Sequence, residues 1–178
     1  MALNAIIFYI MFRFYKFSEN WRQFFQKEKA ILSNALSDQK ISMIEHIGAT
    51  SVVLCNTAGT IDILLSIPSD LDLFTVKNVL SIRGYIFLEE KSTTTTLFFL
   101  RRDENGHIVA TVRLVEYASD NYNKYKLFKF YLKEKDSHVT KYNDFRYTLA
   151  VKSNGNHQEY EKGKAAYIES ILENCSKK

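Results

Sequence analysis

Between His46 and Asp62 the chain reads HIGATSVVLCNTAGTID, a stretch whose residue types suit the handling of phosphate and a hard metal ion. Gly48 allows another group to approach the backbone closely. Thr50 and Ser51 add hydroxyl donors beside backbone N–H groups, which is what an oxyanion site needs. The turn Gly48, Ala49, Thr50, Ser51 is therefore expected to line an anion-binding concavity. Asp62 is expected to supply a hard oxygen ligand for magnesium. The plainer alternative is a strand, a turn with a capping hydroxyl, and one carboxylate at a sheet margin. His46 carries the same ambiguity, because a histidine ending a strand can act as a general base or serve as a hydrogen-bonded structural residue.

The elements around this stretch follow from periodicity. Ile41 to Ile47 reads as a strand and Gly48 to Ser51 as a short helical turn. Thr60 to Ile67 is a second strand, in which Ile61, Ile63, Leu65 and Ile67 face one way and Asp62, Leu64 and Ser66 the other. Upstream, Ser18 is expected to cap a helix to about Leu36, with Trp21, Phe24, Phe25, Ile31, Leu32 and Leu36 on one stripe. Downstream, Ser69 with Asp72 resembles a capping box opening a helix that ends near Ile82 and Gly84. Tyr85 to Glu89, Thr95 to Arg102 and His107 to Glu116 read as strands, the last two forming a hairpin through Asp103 to Gly106. Three helices close the chain, from about Asp120 to Lys133, Ser137 to Ala150 and His157 to Asn174. Strands followed by a helical tail, with no linker or repeat, predict one α/β (α+β) domain over residues 1–178: a mixed β-sheet with packed helices.

Composition narrows the function classes. The 178 residues, 46% hydrophobic and 14% aromatic, suffice for a single core without staples. The net charge of +4 is spread along the chain. It suits phosphate-bearing partners without indicating DNA or RNA binding. Cys55 and Cys175 lack ligand spacing, so neither a disulfide framework nor a zinc site is implied, and a cytoplasmic location is expected. The leading MALNAIIFYIMF is too short to span a membrane and lacks the features of a signal peptide; it is expected to form a buried strand.

The segment from His46 to Asp62 resembles the signature of the GrpB family, HIGSTSVPGLAAKPIID, without a gap. His46, Ile47, Gly48, Thr50, Ser51, Val52, Ile61 and Asp62 coincide with it. Gly84-Tyr85, FKFYLK at 128–133, the pattern Tyr142, Phe145-Arg146, Leu149-Ala150, and Tyr160, Lys164, Tyr167-Ile168 resemble the family's later motifs in order. Tyr15, Trp21, Phe25 and Glu28 match its opening segment. The resemblance implies a nucleotidyltransferase-like (polymerase-β-like) fold and a nucleotide or other phosphorylated small molecule as the ligand. It also aligns Arg146 and Lys164 with helical lysines that could reach an anion.

Departures from that pattern weaken the implied catalytic site. Two-metal nucleotidyl transfer requires clustered carboxylates, commonly two residues apart on one strand, and the position paired with Asp62 is Leu64. Glu116 is the candidate for another carboxylate, yet strand alternation sets it opposite Thr111 and Arg113. Ala49 stands where the family has serine and Ala58-Gly59 where it has Lys-Pro. Thr111 and Arg113 replace two histidines, and Arg113 can stabilise phosphate charge but cannot ligate metal or act as a base at neutral pH. Two readings result. One is a magnesium-dependent transferase with Asp62, His46 and Arg113 as its catalytic residues and Gly48, Ala49, Thr50, Ser51, Arg146 and Lys164 on the ligand. The other is a ligand-binding or regulatory module with a degenerate site, comparable to the GrpB-like domain appended to some dephospho-CoA kinases.

Overall fold

The computed structural model describes residues 14–176, so the apolar segment before Arg13 and its expected strand lie outside the described residues. The elements in order are α1 (Asn20–Ala35), β1 (Met43–Ile47), a 3-10 turn (Ala49–Ser51), β2 (Ile61–Ile67), α2 (Leu73–Ile82), β3 (Tyr85–Phe87), a second 3-10 turn (Glu89–Lys91), β4 (Thr96–Arg102), β5 (Ile108–Glu116), α3 (Asp120–Glu134), α4 (Asp136–Lys152) and α5 (His157–Ser176). The strands form one mixed sheet in the order β1-β2-β5-β4-β3. The β2 and β5 strands run parallel while the other pairs are antiparallel. The mixed α/β class expected from the sequence is the class observed.

Two cap assignments differ from the sequence reading. Helix α2 is capped by Asp72, whose carboxylate accepts from the N–H groups of Phe74 and Thr75, rather than by Ser69. Asp72 holds extended backbone angles immediately before the first helical residue, the geometry that lets a short side chain reach the second and third N–H groups. Helix α1 begins at Asn20, and Ser18 Oγ accepts from the Asn20 N–H at 3.3 Å, so the hydroxyl sits one residue outside the capping position.

The alternation along β2 is as the sequence suggests, but both sheet faces are covered. Ile61, Ile63, Leu65 and Ile67 join Phe25, Leu32 and Leu36 of α1, Val76 and Leu80 of α2, and Phe99, Val112 and Leu114 in the main core. On the second face, Leu64 packs with Ile47, Val115 and Tyr122, with Met43 and Tyr125 alongside. Helix α3 lies over that part of the second face, and with both faces covered every residue of β2 except Asp62 is buried. The remainder of the helical tail packs elsewhere. Leu132 of α3, Val139 and Tyr142 of α4, and Tyr167 and Ile168 of α5 enclose Val52, Cys55 and Ala49, so the tail is clamped onto the loop between β1 and β2.

Candidate functional site

Gly48 follows β1, and its backbone takes φ +69°, a conformation that L side chains adopt only under strain. A β-carbon there would also lie 2.9 Å from Asp62 Cγ. The turn and the carboxylate are thus in contact, as the sequence suggests, and only glycine fits between them.

Asp62 meets its other partners across the parallel pair. Asp62 stands in register with Thr111, and Leu64 with Arg113. Thr111 Oγ1 donates to Asp62 Oδ1 at 2.6 Å and Arg113 Nη1 donates to the same oxygen at 2.9 Å. The ion pair is partly open, with the Arg113 and Asp62 side chains 23% and 26% exposed. Burial pushes the Asp62 carboxyl up, but the Arg113 charge, the Thr111 hydroxyl and, at longer range, Lys164 outweigh it and hold the group below the usual carboxylate range. The Arg113 guanidinium lies over the rings of Phe98 and Tyr125, 5.2 and 5.6 Å from their centroids. Cation–π contacts of this kind, with the hydrogen bonds to Asp62 and Thr111, restrain the fork.

The other residues singled out in the sequence separate into distinct places. His46 pairs in register with Ile63, which puts its ring on the main-core face, opposite Asp62. The ring stacks on Phe25 at 4.6 Å and Nε2 bonds Thr50 Oγ1 at 2.8 Å. Burial foremost, together with Lys129 and Arg22, lowers its pKa to about 4 against the pull of Asp62. His46 is therefore neutral at pH 7 and fastens Thr50. Thr50 is buried, and its hydroxyl faces His46 and the Thr60 carbonyl. The Ser51 hydroxyl donates to the Gly48 carbonyl at 2.7 Å. Both hydroxyls thus brace the turn instead of opening onto a ligand.

Arg146 is also internal. It donates to the Asn56 carbonyl and packs over Phe14 and Tyr142. Its neighbour Asn143 accepts from the Asn56 N–H and donates to the Leu54 carbonyl, each at 3.0 Å, so α4 holds the loop after the turn. Lys164 Nζ pairs with Glu161 at 2.6 Å and lies close enough to influence Asp62. Phe98, Tyr125 and Glu161 near Arg113, and Asn143 under the loop, were not singled out from the sequence. Only the cross-strand pairing of Phe98 with Arg113 could have been read there, once the hairpin register was known.

Magnesium requires near-octahedral oxygen coordination and yields its waters reluctantly. Asp62 has Oδ1 engaged by two donors, Thr111 and the Arg113 guanidinium, and Oδ2 against Gly48, and the other carboxylate nearby, Glu161, is paired with Lys164. Leu64 is 1% exposed under α3, and Glu116 stands opposite Ile67 at the far end of β5, on the main-core face. No group of three or more His, Cys, Asp or Glu among the described residues could hold a metal ion. The donor set does not fit magnesium. A cavity of about 800 Å³ opens between α3 and α5, lined by Ser119, Asn123, Lys124, Glu169 and Leu172 and by none of the corner residues.

The sheet, with Asp62 at the open end of a strand parallel to its neighbour, is that of a nucleotidyltransferase-like fold. Among chains of that fold, the structure of the GLD-2/RNP-8 complex matches with a TM-score of 0.53 at 14% identity, over 91% of this chain and 62% of the other. The model of the family described as GrpB protein matches residues 13–174, and the chain belongs to that family. It is 27% identical over 158 residues to the glutamate-rich protein GrpB of Alkalihalophilus pseudofirmus, covering 87% of this chain and 90% of the relative. The crystal structure of conserved protein GrpB from Enterococcus faecalis matches with a TM-score of 0.77 at 20% identity, over 91% and 96% of the two chains. No helix among the described residues is long and apolar enough to cross a membrane.

Proposed function

We propose that this GrpB-family chain binds a nucleotide or another phosphorylated small molecule at the open corner formed by Gly48, Asp62, Arg113 and Lys164, and that it does not transfer a nucleotidyl group. The observation that carries this reading is the Asp62–Arg113 pair. In-line nucleotidyl transfer needs carboxylates free to hold metal on both the attacking and the leaving oxygen. Asp62 is neutralised by a guanidinium and has Leu64 at the next position on its face, and Glu161 is paired with Lys164. Two partly exposed cations, Arg113 and Lys164, remain at the surface of the corner, and phosphate recognition uses such groups.

A thermal-shift screen of nucleoside mono-, di- and triphosphates and sugar phosphates, with and without magnesium, tests the reading. A rise in Tm with one ligand class, without multiple-turnover release of phosphate or pyrophosphate, is the expected result. Rapid turnover of any nucleotide overturns the degenerate-site reading, and the absence of any shift overturns ligand binding.

A further inference from the structure

We infer that Arg113 takes the place of a divalent cation at this site, so that anion capture is independent of metal and is opposed, not assisted, by Asp62. The inference rests on the ligand-binding reading above and adds the chemistry of capture to it.

Three observations carry it. Arg113 Nη1 stands 2.9 Å from Asp62 Oδ1, which places a permanent positive charge where a coordinated metal would have to sit. All hydrogen bonds of the guanidinium to described residues run through Nη1, to Asp62 and Thr111, leaving the donors on Nη2 and Nε for another acceptor. The guanidinium carbon lies over the Phe98 and Tyr125 rings, 5.2 and 5.6 Å from their centroids, and Nη1 is tied to Asp62 and Thr111, so the fork is restrained before an anion arrives and loses less freedom on binding one. An arginine so placed can neutralise Asp62 through one nitrogen and present a bidentate edge to phosphate through the others. The carboxylate then lies beside the bound anion and repels it. The sign is opposite to that of a metal-ligating aspartate, whose removal would abolish binding.

The test is titration calorimetry of the full chain with inorganic pyrophosphate and with ATP, in EDTA and in magnesium, on wild type, Asp62→Asn and Arg113→Met. Asparagine keeps the side-chain shape and can still accept from Thr111, and methionine keeps an apolar stem of similar length at position 113. Thermal unfolding establishes that each variant is folded. Wild type is expected to bind in EDTA at least as well as in magnesium. Asp62→Asn should bind at least about tenfold tighter, since a like charge a few ångströms from the anion is removed, and Arg113→Met should lose binding. Binding by wild type only in magnesium overturns the inference while sparing the ligand-binding reading. Binding by Asp62→Asn alone supports the arginine site and overturns that reading for the native chain. Failure of both proteins to bind overturns both. Should either variant fail to fold, the comparison of EDTA with magnesium on wild type decides alone.

Discussion

Gly48 and Asp62 are in direct contact, the backbone of the one lying against the carboxylate of the other, so that a β-carbon at position 48 would stand 2.9 Å from Asp62 Cγ. The contact has a conformational side as well, since Gly48 holds φ +69°. Gly48→Ala should therefore cost about 1–3 kcal/mol, combining left-handed strain with displacement of Asp62. Urea denaturation measures the loss, and a stability within a few tenths of a kcal/mol of wild type would show that the turn relaxes freely.

Leu64 occupies the position where a second metal-binding carboxylate would be sought, and introducing one should fail. The residue is 1% exposed among Ile47, Val115 and Tyr122. Leu64→Asp is expected to lose roughly 4 kcal/mol or more, because a carboxylate there is sealed from water and the neighbouring Arg113 guanidinium is already engaged by Asp62. Circular dichroism and solubility of the variant check this. A folded variant that gains magnesium affinity would show that α3 lifts easily off the sheet.

His46 gives stability a specific pH dependence. Its pKa falls from 6.5 in the unfolded chain to about 4 in the folded one, through burial first and then Lys129 and Arg22. Between those values the unfolded chain binds the proton and the folded chain does not, so stability rises with pH across the window. The contribution is complete above pH 6.5 and is lost as the pH falls toward 4, by up to about 3 kcal/mol. Urea unfolding of wild type and His46→Gln between pH 4 and 7 isolates it. The wild-type curve should be steeper by that amount, and parallel curves would refute the assignment.

The tail and the β1–β2 loop should fail together. Val52 and Cys55 are covered by Leu132, Val139, Tyr142, Tyr167 and Ile168, so a chain ending at Gly155 uncovers one side of that cluster. Such a truncation is expected to be insoluble or to lack a cooperative thermal transition. A sharp transition at the wild-type temperature would place the tail outside the folding unit.

Much of the fold was legible in the sequence because its signals are local. Period-two alternation in β2, the Asp103–Gly106 hairpin and the apolar stripe of α1 each arise within a dozen or so residues. The errors were local too. Ser69 and Asp72 both have capping side chains, and backbone angles that no composition reveals decided for Asp72. The expected proximity of Gly48 and Asp62 followed from two adjacent antiparallel strands joined by one loop. The site residues brought from distant segments fared differently. Arg146 turned inward to the Asn56 carbonyl, Thr50 bonded His46 and the Thr60 carbonyl, and Ser51 bonded within its own turn, because buried polar groups near a tight loop find the nearest partners in the protein.

By itself the sequence determined the elements, the turn that only glycine can make and the face from which Asp62 projects. These depend on backbone sterics and side-chain alternation within short windows. The tertiary structure alone decided that Leu64 is sealed while Asp62 stays open, since that depends on where α3, formed by residues beyond 119, ends its cover of the second face. It likewise decided that His46 serves Thr50 and Phe25, and that Arg113 closes on Asp62 across the β2–β5 pair. A charge finds its partner by distance in space, and strands separated by some fifty residues in the chain come within hydrogen-bond reach only when the sheet is assembled.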